Sequence, residues 1–167
     1  VGAGGCARSG YAYQYLNRDT IYKIVQIFRN GVDIKLFEYI AIYVIAYLMR
    51  EKWKFKNVKL FSDNPVVVSS LVHQRAPLGR RDLHYMTVKF AEFAAEYHFR
   101  YWVANIDGDD NDLADDLSRF KSQYRNNNLR FDDYEFVAAT EAIDIANSVF
   151  MDLLNPEIVP LNKGDSE

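Results

Sequence analysis

Cysteine is nearly missing. Cys6 stands alone among 167 residues, so no disulfide can form within the chain and a disulfide-stapled secreted scaffold is excluded. A reducing compartment follows as the expectation, intracellular and either cytoplasmic or nuclear. Charge of one sign is also lacking: 20 basic against 23 acidic residues leave a net charge of −3. That excludes a strongly basic whole-chain nucleic-acid binder but leaves room for a local basic path. The opening Val1-Gly-Ala-Gly-Gly-Cys6 has neither a basic segment nor a long apolar run, so no signal peptide is read there. It has no initial Met either, and the chain reads as a piece of something longer. The run Leu36 to Met49 is apolar, but it is too short for a membrane span, contains Glu38 and leads into Arg50-Glu-Lys-Trp-Lys54. A buried core helix is expected, and no membrane partner. His73, His84 and His98 are too scattered for a zinc signature. Gly2-Ala-Gly-Gly5 lacks the Lys-Ser/Thr that a phosphate loop needs. No internal repeat is present.

What the chain does have is an alternation of strand-like and helix-like stretches. Val1 to Arg8 is glycine-rich and reads as the remnant of a strand or turn. Tyr11-Ala-Tyr-Gln-Tyr-Leu16 alternates as a half-buried strand does. Asn17-Arg-Asp19 is expected to turn the chain into a third strand over Ile21 to Phe28, with a short helix as the alternative. Ile34 to Glu51 is expected to be a helix buried nearly all round. Val58 to Phe61 reads as a short strand, Pro65 to His73 as a helix with proline in its first turn, and Arg81 to Tyr97 as a second long helix. Arg100 to Ile106 reads as a strand, Asp107 to Asp110 as a turn, and Asn111 to Lys121 as a helix. The order predicts an α/β chain with a mixed sheet, antiparallel strands first and then parallel strands joined by helical crossovers. Three parts are expected: a domain over 1–121, a polar linker over 122–131, and a helical tail with a C-terminal extension over 132–167. Within the last part Asp132 to Leu154 reads as an amphipathic helix, and the residues after it as extended or disordered.

Three acidic residues carry the functional argument. Glu38 is the only charge between Lys35 and Arg50. An ionised carboxylate in such a helix must be paired, neutralised or bound to metal; the alternative is a place at the helix N-terminus facing solvent. Asp63 follows the Val58 strand in Ser62-Asp63-Asn64-Pro65, where open α/β sheets place their ligand crevice; the alternative is that the segment merely turns and caps a helix. Asp115 lies in Asn111-Asp-Leu-Ala-Asp-Asp-Leu-Ser-Arg119; the alternative is an exposed helix acid paired with Arg119. Taken together, the three supply hard oxygen ligands from different elements. Two divalent ions about 4 Å apart require such convergence for activating water and stabilising a leaving oxygen. Arg75, Arg80, Arg81, Lys89 and Arg100 are candidates for phosphate contacts, which position a duplex without reading its sequence. The alternative for each is an ordinary solvated cation.

Ser62-Asp63-Asn64 followed by Val66-Val67-Val68, then Asn111-x-x-Ala114-Asp115-x-Leu117-Ser118-Arg119, resembles the ribonuclease H domain of retroelement reverse transcriptases. The last run is similar above all to that of LTR and tyrosine-recombinase (DIRS-like) retrotransposons. Ile106-x-Gly108 and Ile34-x-x-Phe37-Glu38-x-x-Ala41 match in order and spacing, so the resemblance covers about 1–121. It implies a ribonuclease H-like mixed sheet flanked by helices, catalytic and metal-binding Glu38, Asp63 and Asp115, and two Mg²⁺ ions, with Mn²⁺ an alternative. It implies hydrolysis of the RNA strand of an RNA–DNA hybrid, nucleic-acid contacts from Asn64, Arg75, Arg80 and Arg81, and a polymerase domain in the same polyprotein. A catalytically degenerate domain that supports a neighbouring polymerase or recombinase is the alternative. The sequence departs from the family in three places. The first catalytic Asp is missing and is expected upstream of Val1, which implies weak or no activity for the chain as it stands. Asn105 stands where a His is frequent, which puts His-assisted proton transfer in doubt. Phe37 stands where a leucine is usual.

Overall fold

The computed structural model describes residues 2–7, 11–16, 34–111, 114, 135–136 and 139–160. Ten elements of regular helix and strand lie among them, beginning with two antiparallel strands, β1 (Gly2–Ala7) and β2 (Tyr11–Leu16), paired from Gly2↔Leu16 to Ala7↔Tyr11. Gly2–Ala7, part of the stretch read as the remnant of a strand or turn, thus pairs with the expected Tyr11–Leu16 strand, and the turn expected over Asn17 to Asp19 lies outside the described residues. The expected third strand over Ile21 to Phe28 lies outside the described residues.

Helix α1 (Ile34–Leu48) follows. Leu36, Tyr39, Ile40, Tyr43 and Val44 recur at three- and four-residue spacing and are all buried, which explains both the helix and the face it turns inward. A single turn, α2 (Arg50–Trp53), continues from it. Strand β3 (Asn57–Ser62), helices α3 (Pro65–His73) and α4 (Arg81–Glu96), and strand β4 (Arg100–Asn105) then form a crossover unit. β3 and β4 are parallel and in register from Asn57↔Arg100 to Ser62↔Asn105. Parallel neighbours cannot be joined by a tight turn, and α3 and α4 make the required crossover. A 3₁₀ turn, Gly108–Asn111, leaves β4, and the backbone is helical again at Ala114. The rest of the expected helix over Asn111 to Lys121 lies outside the described residues.

The C-terminal part needs a correction. The expected helix from Asp132 starts later: Glu135–Phe136 form a two-residue strand, β5, parallel to β2, and helix α5 (Ala139–Leu153) follows. Pairing with β2 gives the backbone of that short stretch its hydrogen bonds, and this outcompetes an extra helical turn. α5 packs against α1 and β2, and its Ala142, Ala146, Val149 and Phe150 belong to the same buried cluster as Ile40 and Phe90. After α5 the chain turns at Asn155, whose carbonyl accepts from the amides of Ile158 and Val159, and Val159 is buried. The chain is thus a mixture of helix and strand of the α/β kind, and no helix among the described residues is long and apolar enough to cross a membrane.

Aromatic rings fill the space between α1, α4 and β4. Phe90 meets Tyr101 edge-on at 4.8 Å, and Phe93 touches Tyr43, Tyr47, Tyr97 and Phe99 at centroid distances from 4.8 to 5.8 Å. Such edge-to-face and offset pairs favour one arrangement over others beyond simple burial. Polar tips are mostly satisfied: Tyr39 donates to Thr87 Oγ1 at 2.9 Å, and Thr87 donates to the Leu83 carbonyl at 2.8 Å. Tyr85 donates to Asp152, which Lys89 Nζ approaches at 3.8 Å, so α4 and α5 are tied by a polar clasp. The Tyr101 hydroxyl is buried with no hydrogen-bond partner among the described residues.

These tyrosines set an alkaline limit on stability. Burial pushes the Tyr43 hydroxyl up from 10.0 to about 12, with Tyr47 and nearby carboxylates adding to the shift. Burial also raises Tyr39, Tyr85 and Tyr101. In the unfolded chain they ionise near pH 10. Their contribution is therefore complete below pH 10 and is lost as the pH climbs past 10 and through the raised folded values. The urea midpoint is expected to fall between pH 9 and pH 11. An unchanged midpoint would show that the buried hydroxyls ionise in place.

Candidate metal centre

The end of β3 is built locally. Ser62, the last strand residue, is buried, and its Oγ accepts from the Asn64 amide at 3.2 Å. Asn64 then caps α3: its Oδ1 accepts from the Val66 and Val67 amides at 3.0 and 3.4 Å, and Pro65 occupies the first helical position. The capping role that the sequence left open between Asp63 and its neighbours thus belongs to Asn64. Asp63 sits between the strand and the cap, partly exposed. Removing the cap with Asn64→Ala is expected to destabilise the protein by about 1 kcal/mol, with Asn64→Asp retaining most of the stability. Urea denaturation of the two variants decides it: equal losses would mean that the amide side chain has another job.

The partner strand ends at the same level. Ser62 is opposite Asn105, and the ladder runs one bond further, Ile106 N–H to the Ser62 carbonyl at 3.0 Å. The Asp107 carbonyl then accepts from the Asp110 and Asn111 amides at 2.9 and 3.2 Å, closing the 3₁₀ turn. This brings Gly108 beside Asp63: a Cβ on Gly108 would lie 3.7 Å from Asp63 Oδ2. That is an ordinary contact distance, which places Gly108 directly against the Asp63 carboxylate. Asp107, Asp109 and Asp110 are exposed in the same turn.

Glu38 lies in the second turn of α1, partly buried, with its Oε2 withdrawn from solvent. The solvent-facing alternative at the helix start is therefore not what the structure has. Asp115 lies outside the described residues. Among the described residues no three His, Cys, Asp or Glu side chains gather closely enough to hold a metal ion. The carboxylates that are described, Glu38 and Asp63, offer hard oxygen donors, the chemistry that suits Mg²⁺ or Mn²⁺ rather than softer metals.

The basic candidates divide. Arg75 is exposed in the loop after α3, where Gln74 takes a left-handed conformation (φ 53°) that closes the helix end. Arg81 is exposed at the start of α4. Arg80 is engaged locally: its Nε and Nη2 donate to the two Asp82 carboxylate oxygens at 3.0 and 2.8 Å, and the Leu83 amide donates to the same carboxylate at 2.9 Å. Asp82 is only 2% exposed. Sequence analysis missed it; the Arg-x-Asp spacing at a helix start was its only signal. Lys89 reaches toward Asp152 and lies 5.4 and 5.6 Å from the centres of the Tyr43 and Tyr85 rings.

Comparison of the chain with protein-family models, with curated proteins and with solved structures finds no match.

Proposed function

We propose that this chain is a ribonuclease H-like domain of a retroelement reverse transcriptase, cutting the RNA strand of RNA–DNA hybrids with Mg²⁺. One observation carries the reading most: Asp63 stands at the carboxyl end of a parallel strand, relieved of helix capping by Asn64 and faced by Gly108 of the turn that leads toward Asp115. An antiparallel pair followed by a helix and a parallel crossover pair is compatible with that architecture. In this reading Glu38, Asp63 and Asp115 hold the metal, and Mg²⁺ supplies the positive charge that favours hydroxide over water and offsets charge on the leaving oxygen.

The residues themselves fix positions. The flush ends of β3 and β4 hold Asp63 at a set distance from the 108–111 turn. The cap at Asn64 prevents the Asp63 backbone from drifting into helix. Arg75 and Arg81 lie on the surface where phosphates can be met without base contacts. The test is cleavage of a labelled RNA–DNA hybrid by the protein in its natural polypeptide, with and without Mg²⁺, against Asp63→Asn. Tight hybrid binding without cleavage would move the assignment to a degenerate supporting domain. Cleavage of duplex DNA instead would move it to a nuclease or transposase of other specificity.

A further inference from the structure

Parallel strands are ordinarily covered on both faces. The β3–β4 pair is covered on one face, where Leu60 and Ser62 are buried and Val58 partly so, whereas the other presents large side chains to solvent. Lys59 stands opposite Trp102 in the register, and both are exposed; Trp102 is 52% exposed. Phe61 is 39% exposed on the same face, with the Lys59 ammonium 5.2 Å from its ring centre. Arg100, opposite Asn57, is exposed as well.

At the amino end of the two strands lies a further aromatic pair. Phe55 and His98 both take left-handed backbone conformations, φ 62° and 56°. Histidine enters this region more readily than most residues, but a bulky side chain such as that of Phe55 rarely does, and glycine would be its usual replacement. The Phe55 amide donates to the His98 carbonyl at 2.7 Å, which locks the two bends together. Their rings stack at 5.4 Å with 9° between planes, the Phe55 ring is 78% exposed, and the Lys54 ammonium lies 5.8 Å from its centre. Strain of this kind marks positions where the side chain is worth keeping.

Charge identifies the occupant. Lys52, Lys54, Lys56 and Lys59 are all exposed, with Glu51 the only acid in that run, on a chain whose net charge is −3. A second copy would set these cations against themselves in a twofold contact. A polyanion with flat, unstacked rings fits both features. Aromatic faces take bases, and interleaved lysines track phosphates. We propose that the Phe55–Phe61 side of the β3–β4 sheet binds single-stranded nucleic acid. From Phe55 to Phe61 the path is about 20 Å, near the short end of single-strand footprints, roughly four nucleotides. It leads along β3 toward Asp63. The proposal stands apart from the cleavage reading, because it needs neither metal nor Glu38, Asp63 or Asp115.

The test is anisotropy of a fluorescein-labelled oligothymidylate titrated with the whole chain in EDTA. Binding is expected, weakening steeply as salt rises. Lys54→Glu with Lys59→Glu is expected to lower affinity at least tenfold and to flatten the salt dependence. Phe55→Gly is expected to lower it roughly tenfold with the salt dependence unchanged. Since glycine suits that backbone, this variant should unfold no earlier than the parent, which separates lost stacking from misfolding. No binding, or binding that neither variant weakens, would overturn the proposal. So would sedimentation showing a dimer that Trp102→Ala dissociates. Because EDTA removes the metal, loss of hybrid cleavage in Asp63→Asn bears on the other reading alone.

Discussion

Asp63→Asn is expected to remove Mg²⁺-dependent cleavage of RNA–DNA hybrids while leaving the fold intact. The amide keeps the size and one carbonyl oxygen of the carboxylate but lacks the charge that attracts a divalent ion. Metal-supplied charge stabilisation amounts to several kcal/mol in reactions of this class, so a fall in rate of roughly 10³-fold is expected. The fold should survive because Asp63 is not the cap of α3; Asn64 is. Its partly exposed position also spares the core. The measurement is single-turnover cleavage of a labelled hybrid by the natural polypeptide, where the upstream Asp is expected, paired with thermal denaturation of parent and variant. A rate within a fewfold of the parent would remove Asp63 from the site, and Gly108 with it. A large fall in thermal stability would instead show that the carboxylate serves the strand end.

The second large effect is expected at Phe90. This ring is fully buried, with Tyr101 edge-on at 4.8 Å and Phe99 at 6.4 Å. It joins α4 to β4 beneath the strand whose end forms the site. Phe90→Ala removes most of a large side chain from a place hemmed in by other rings, where collapse is restricted. A loss of about 3–5 kcal/mol is expected, which for a chain of this size is a fall in melting temperature of roughly 6–20 °C. Phe90→Leu should lose far less. Urea denaturation checks it through the midpoint, with the slope unchanged if only the native packing has suffered. A loss under about 1 kcal/mol would mean that the core relaxes into the gap.

Much of the helical frame was legible because burial leaves a periodic mark. Leu36, Ile40, Tyr43, Val44 and Ile45 can be read directly from the letters, and so can Asn64-Pro65 as a helix start, whereas the buried Tyr39 was not foreseen. β3 and β4 were visible as short apolar runs between breakers. β5 was not: two residues, Glu135 and Phe136, leave no alternation to detect, and the helical pattern around them is stronger. The pairing of Gly2–Ala7 with β2 was not legible, because Gly2 to Cys6 offers too few side chains to show a pattern. Within the site, Glu38 was conspicuous as a lone charge in an apolar helix. Asp63 was ambiguous until the hydrogen bonds gave the cap to its neighbour. The left-handed bend at Phe55 carried no signal, since a bulky side chain is rare in that conformation; His is enriched there, but His98 alone does not mark a bend.

The flush ending of β3 and β4 has a consequence for how the protein reaches its working form. Ser62 and Asn105 are neighbours in space but are joined in the chain through the whole of α3 and α4. Closing so large a loop is entropically costly and slow compared with forming either helix. Asp63 and Gly108 are therefore expected to become neighbours late, after much of the helix has formed. A spectroscopic or ligand probe placed at that junction would report completion of folding, lagging behind any signal that follows the helices alone.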